Sequence, residues 1–427
     1  MIIRIKHNLA PAALVVLMLV SMAQAGELGD LLQVALQHPQ ARAAASQVEA
    51  ARALKDAATG RYFGSAALSA GWHNYEGQRV VGVYTPGTPG APLISDRISQ
   101  AGLAYSLPVD LFGVIAANRE RAQYDLDAAE LLARQQTLLK LHQTASAYLT
   151  LQALLKQREA LAIYRQRIEA THSRIKKEVE LGKAAGVDAR YAESELARLI
   201  ADEAVLNGAL IQAQADLEEA GSREKFLPTR AGIHVPAWED VTSDSTLPAR
   251  IAQARREAAR AQADESRQAL LPSLSLDANY FRNIGGGDHR DTWALGGVVS
   301  LPLGMSQYRQ ADAQRLNARA AAEQSESAAR DSARQLANLR AAYDSAAADA
   351  LAMEKEVAYR EQVAAVQGEM QRLGSQTLEN LFRHERDLLD ARFRLEQAKA
   401  RAAATWSAAQ VLTGLPTENY IARMDAK

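Results

Sequence analysis

The amino-acid sequence predicts a mainly α-helical protein with a small β part, in which one unit, a strand hairpin followed by a long coiled-coil helical hairpin, is used twice. Three observations predict this. Ala147-Tyr148 and Tyr164-Arg165 recur as Ala342-Tyr343 and Tyr359-Arg360 at a constant offset of 195 positions, from Tyr148 to Tyr343 and from Tyr164 to Tyr359, which is the self-similarity of a repeat architecture. Two runs of 68 residues, Val114 to Leu181 and Ser306 to Leu373, contain no proline, and each could extend about 100 Å as a helix. Ahead of each run lie segments that lose helical spacing, and ahead of the second they alternate between apolar and polar residues, the period of a strand with two unlike faces.

The elements follow in order. Arg4 and Lys6 precede an apolar stretch from Leu9 to Val20 that ends in Ala23-Gln24-Ala25, so residues 1–25 read as a secretory signal peptide. The first repeat, 26–221, opens with a helix from about Glu27 to Arg61, interrupted at Pro39. Strands over about 64–76 and 96–109 flank Gly77 to Ser95, whose glycines and prolines read as loop. A helical hairpin over 114–220 breaks at Gly182. After a connector at 222–246, the second repeat, 247–416, runs helix, strands over about 273–283 and 291–302, and a hairpin over 306–413 that breaks at Gly374. In Ser273 to Phe281, Leu274, Leu276, Ala278 and Tyr280 fall on one parity, and Gly285 to Asp288 makes the turn. Leu336, Leu339, Tyr343, Ala346, Ala350, Met353 and Val357 keep a 3-4 spacing, the pattern of a coiled-coil seam. The first run does nearly the same and decays at Gln152 and Glu159. Residues 417–427 read as a tail.

Composition narrows the function. A formal net charge of −1 supplies no electrostatic reason to bind nucleic acid, and the absence of cysteine excludes disulfides and thiolate sites. His289-Arg290-Asp291 lies in a glycine-rich turn, His384-Glu385 lacks a second histidine at zinc-helix spacing, and Gly285 to Gly287 lacks the Lys-Ser/Thr of a phosphate loop. No enzyme activity, cofactor or metal is expected. Strands of about ten residues with Trp72, Tyr75, Tyr280 and Trp293 near their ends suit a tilted transmembrane barrel as well as a soluble hairpin, and the rod-like helices with strands at one end favour the barrel. Four strands cannot close one, because the smallest barrels need about eight and open edges are not viable in lipid. Several chains must therefore contribute, and three would give twelve strands above a twelve-helix tube.

In this order and spacing the motifs resemble the TolC-type outer membrane factors, the outer membrane efflux proteins of Gram-negative bacteria. The residues that carry the resemblance are the duplication, Leu36-Gln37-His38-Pro39, Leu107 through Gly113 at the strand-to-helix junction, Leu181-Gly182 through Asp188, Leu373-Gly374 through Leu381, and Leu412 through Leu415. The resemblance implies a homotrimer whose 12-stranded β-barrel, set in outer membrane lipid, continues into a periplasmic α-helical tunnel. It implies a passive exit duct for a tripartite efflux or type I secretion system, with a periplasmic membrane fusion adaptor and an inner membrane RND or ABC exporter as partners. A periplasmic adaptor or a secreted coiled-coil structural protein is the alternative; the first would need a lipoyl-like β region, and the second leaves the strand alternation without purpose.

The resemblance also points to residues. Gly182, Ala185, Val187 and Asp188 at one hairpin tip, and Gly374, Thr377 and Leu378 at the other, would meet adaptor hairpins. Locally the same glycines read as helix C-caps, and Asp188 and Thr377 as N-caps. Glu379, Asn380 and Arg383 occupy the positions of an entrance gate, and Glu379 with Arg383 also reads as an i,i+4 ion pair.

Overall fold

The computed structural model describes residues 27–87, 89–221, 226–229, 232–239 and 246–426; the signal-peptide reading lies outside them. Helix α1 (Glu27–Ala35) ends before Pro39, whose ring is tolerated in the first turn of α2 (Pro39–Gly60) because no N–H is needed there. His38 caps α2, its Nδ1 accepting from the Gln40 N–H at 3.3 Å. Strands β1 (Ser65–Val80) and β2 (Ile94–Val109) follow, then α3 (Val114–Glu180) and α4 (Gly186–Gly221). Helix α5 (Leu247–Gln268), strands β3 (Ser273–Gly285) and β4 (Asp288–Ser300), and helices α6 (Met305–Arg372) and α7 (Leu378–Thr413) repeat the order, and α8 (Thr417–Met424) closes it. Among the described residues no helix is long and apolar enough to cross a membrane.

The strands form one antiparallel sheet in the order β1-β2-β3-β4. They are 16, 16, 13 and 13 residues long, longer than the ten expected, and β1 and β2 take both ends of the stretch read as loop. Pairing continues because side chains hold it. Asn283 donates to the Arg290 carbonyl and to Thr292, both at 3.2 Å, and accepts from Gln100 at 3.0 Å. A bulge between Asn74 and Arg79 takes up the extra residues of β1.

Below the sheet the helices form two layers of the same kind. Near the strands, α2 packs on α3, α3 on α5 and α5 on α6. Towards the hairpin ends, α4 packs on α3, α3 on α7 and α7 on α6. The α6 seam is real: Ala346 and Ala350 are buried, and the other five seam residues are half-buried. In α3 the pattern lapses at Gln152 for a physical reason, since its buried side chain donates to the Gly232 carbonyl at 3.0 Å. There the connector crosses the helices. Its described parts set Phe226 beside Tyr148, with ring centroids 6.3 Å apart, and Trp238 beside Tyr343 at 5.3 Å. The duplicated tyrosines therefore each receive one aromatic ring of the connector. Within the stretch read as a tail, residues 417–424 form α8, which buries Tyr420 and Met424.

Candidate functional site

Three surfaces compete as functional sites: the faces of the sheet, the free edges of each layer, and the hairpin tips. Paired residues in an antiparallel sheet share a face. The register pairs Leu68 with Leu103, Leu103 with Tyr280, and Tyr280 with Trp293, so one face is apolar, with Leu68 87% and Trp293 79% exposed. The other carries Ser69, Gln100, Ala104, Asp277 and Asn279. On this polar face Gly102 leaves room for Phe281, whose ring would lie 2.1 Å from an added Cβ. At the turn end, Arg282 donates to both Asp291 carboxylate oxygens at 2.9 Å, and the Tyr280 hydroxyl donates to the same group at 2.6 Å. Trp293 and Tyr280 thus form an aromatic pair beneath an ion pair, the order of chemistry at a bilayer interface.

At the tips the sequence dictates the break. Gly182 and Gly374 adopt φ of 71° and 75°, the left-handed region where a Cβ is strained. The Gly182 N–H donates to the Val179 carbonyl and Lys183 to Glu178; Gly374 donates to Gln371 and Ser375 to Met370. Both helices therefore end in the same paired-bond C-cap. Thr377 caps α7, its hydroxyl accepting from the Asn380 N–H at 3.2 Å. Asp188 is not a cap. Helix α4 begins at Gly186, which places Asp188 in its first turn, where the carboxylate faces the positive end of the helix dipole.

Burial redistributes the tip residues. Val187 is 69% exposed and Ala185 is exposed, whereas Leu378 is 5% exposed and joins Leu381 and Phe382 in the hairpin interior. The Phe382 ring stacks on Tyr191 with centroids 5.8 Å apart. Leu181 and Leu373, each just before its glycine, are instead 68% and 82% exposed. Their recurrence just before the glycine in both repeats marks them in the sequence as well. Of the gate positions, Glu379 and Arg383 are exposed and Asn380 half-buried. The expected Glu379–Arg383 pair does not form: Arg383 donates to Asn380 Oδ1 at 2.8 Å, and Asn380 donates to Gln376 at 2.9 Å.

Behind the tips, charges bind the four helices. Arg386 on α7 reaches Glu195 at 3.2 Å and Asp202 at 2.8 Å on α4, and Arg360 on α6 reaches Asp387 on α7 at 2.8 Å. Arg174 on α3 donates to Gln371 on α6. Glu385 on α7 has only Arg167, at 3.9 Å, and burial pushes its carboxyl above the usual carboxylate range, partly offset by that arginine.

Residues 31–221 match the model of a family described as Outer membrane efflux protein. The match spans nearly all of the first repeat. No curated protein matches the chain by sequence, but solved structures resemble its fold over nearly its whole length. The outer membrane protein VceC of Vibrio cholerae superposes with a TM-score of 0.73 at 19% identity, covering 91% of this chain and 96% of that one. The MtrE outer membrane channel of Neisseria gonorrhoeae, in its open state, gives 0.74 at 20%, covering 91% and 88%. The Campylobacter jejuni CmeC outer membrane channel gives 0.72 at 15%, covering 93% and 89%. The efflux-protein match stops at Gly221, yet the fold likeness continues through the second repeat, as a duplication requires.

Proposed function

We propose that this protein is an outer membrane channel, the passive exit duct of a tripartite efflux or type I secretion system, working as a homotrimer. The observation that carries the reading is that each layer is open in the same way. The sheet leaves β1 and β4 unpaired on their outer sides, the upper helices leave α2 and α6 as ends, and the lower helices leave α4 and α6. Unpaired strand edges are excluded from lipid, so the edges of one copy meet those of the next. Three copies give twelve strands and a continuous tube, with the apolar sheet face in outer membrane lipid and the polar face lining the lumen.

Substrates delivered by an inner membrane RND or ABC exporter pass through a periplasmic membrane fusion adaptor into this tube. The adaptor docks at the tips, where Leu181, Val187 and Leu373 offer apolar side chains to a partner helix. The chemistry asked of the chain is permeation, which needs a lined lumen and no reacting group. The adaptor alternative lacks support, because the only strands among the described residues belong to one sheet. Reconstituting the purified protein into planar bilayers tests the duct: discrete conductance steps are expected, and a protein that stays in soluble periplasmic extracts and conducts nothing refutes it.

A further inference from the structure

His142, Ser407 and Tyr420 form a line of polar contacts through α3, α7 and α8. His142 Nδ1 lies 2.9 Å from Ser407 Oγ, and that oxygen lies 2.5 Å from the Tyr420 hydroxyl. Ser407 and Tyr420 are 0% exposed, and the Tyr420 ring packs on Trp406 with centroids 5.8 Å apart. His142 is half-buried and also lines an open cavity of about 520 Å³ between the start of α2, α3 and the end of α4. Protons therefore reach one end of the line while the other stays dry.

Counting hydrogens shows what acid does. With a neutral ring, two hydrogens serve two contacts: Tyr420 donates to Ser407, and Ser407 donates to Nδ1. An imidazolium adds a third hydrogen, on Nδ1, to the same two contacts. One hydroxyl hydrogen then has no acceptor within the line, and leaving it unpaired is costly. The strain falls on α8, whose buried side chains are Tyr420 and Met424. We propose that this line is an acid-released clasp: protonation of His142 detaches α8 from the tunnel wall and frees the connector that α8 pins through the 2.6 Å Arg423–Glu239 ion pair.

The charged groups around the cavity are of both signs, so burial sets the direction. Lys140, one turn-half away on α3, is 5% exposed, and its ammonium reaches the Glu219 carbonyl only at 3.5 Å. His38 at the start of α2 and Asp216 and Glu219 on α4 line the same cavity; on the buried side His142 meets Ser407 of α7, with Tyr420 of α8 behind it. Burial holds His142 below the ordinary histidine value of 6.5. A depressed pKa means that the undocked state takes the proton first. Docking is therefore at full strength above pH 6.5 and is lost as pH falls below it, by up to about tenfold in the opening equilibrium per pH unit.

Hydrogen–deuterium exchange on the full-length protein in detergent tests the clasp, with protection factors for residues 417–424 corrected for intrinsic exchange between about pH 7.5 and about pH 5.5. Wild-type protection is expected to fall across this range, with a flat profile in His142→Gln. Tyr420→Phe, which cuts α8 out of the line, is expected to start from lower protection and depend less on pH. Constant wild-type protection, or a wild-type pH profile in His142→Gln, overturns the proposal. Should His142→Gln fail to assemble, an undiminished pH profile in Tyr420→Phe overturns it instead. The clasp is built from α3, α7 and α8 alone, so its test does not depend on what the lumen carries.

Discussion

Gly374 and Tyr343 show how single side chains hold this molecule to its shape. Replacing Gly374 by alanine places a Cβ at a φ of 75°, which costs about 1–2 kcal/mol in the left-handed region. Open space surrounds that position, so the loss is conformational strain and not a clash. Thermal unfolding of detergent-solubilised Gly374→Ala is expected to show a lower midpoint, and Gly182→Ala a similar one. Tyr343 donates its hydroxyl to the Pro236 carbonyl at 2.8 Å. Tyr343→Phe keeps the ring on Trp238 and gives up about 1 kcal/mol, measurable as faster proteolysis of the connector. Glu385 bears on pH. Its carboxyl is raised by burial, so its folded form is most stable below the ordinary value of 4.5 and loses that contribution as pH rises through the raised one. Glu385→Gln is expected to remove this pH dependence and to raise the unfolding midpoint at neutral pH.

The elements were largely legible in the sequence, and the exceptions have physical causes. Helical hairpins, strands and breaks rest on local periodicity and on glycine, so Gly182, Gly374, Pro39 and the α6 seam fell where the pattern put them. Facing is not local. Leu378 sits one residue past the Thr377 cap, but whether it turns inward depends on Tyr191 and Phe382 across the hairpin. Asp188 resembled a cap because its type fits, while α4 had already begun at Gly186. The strand ends, the connector and α8 are fixed by partners far away in sequence, such as Asn283 with Gln100 and Tyr420 with Ser407. The tip prediction belongs here. Leu373→Asp and Val187→Asp are expected to leave the unfolding free energy within about 0.5 kcal/mol of wild type, as exposed substitutions do, while abolishing adaptor capture. Cysteines at Val187 and Leu373, in a chain that has none of its own, are the probes for capture, and unimpaired capture by both aspartate variants contradicts the tip assignment.

For the whole molecule, the proposed trimer divides one task between duplication and oligomerisation. Each copy of the repeat supplies two strands and one helical hairpin, and the chain places them side by side as an open wall. Exposed apolar residues mark both ends of that wall: Ile200, Val205 and Ile211 on α4 and Leu351, Tyr359 and Val366 on α6 are between 56% and 76% exposed. Such stripes on helix edges call for a partner, and in the proposed trimer that partner is a second copy. Val205 lies 23 residues past Gly182, and Leu351 lies 23 residues before Gly374, so the two sit at matching heights on opposite ends of the wall. Oxidative crosslinking of the Val205→Cys, Leu351→Cys double variant in outer membranes tests ring closure most directly. Covalent dimers and trimers with nothing larger are the expected products, and neither single variant should yield trimers. Monomers alone, or a ladder continuing beyond three chains, would contradict a closed trimeric duct.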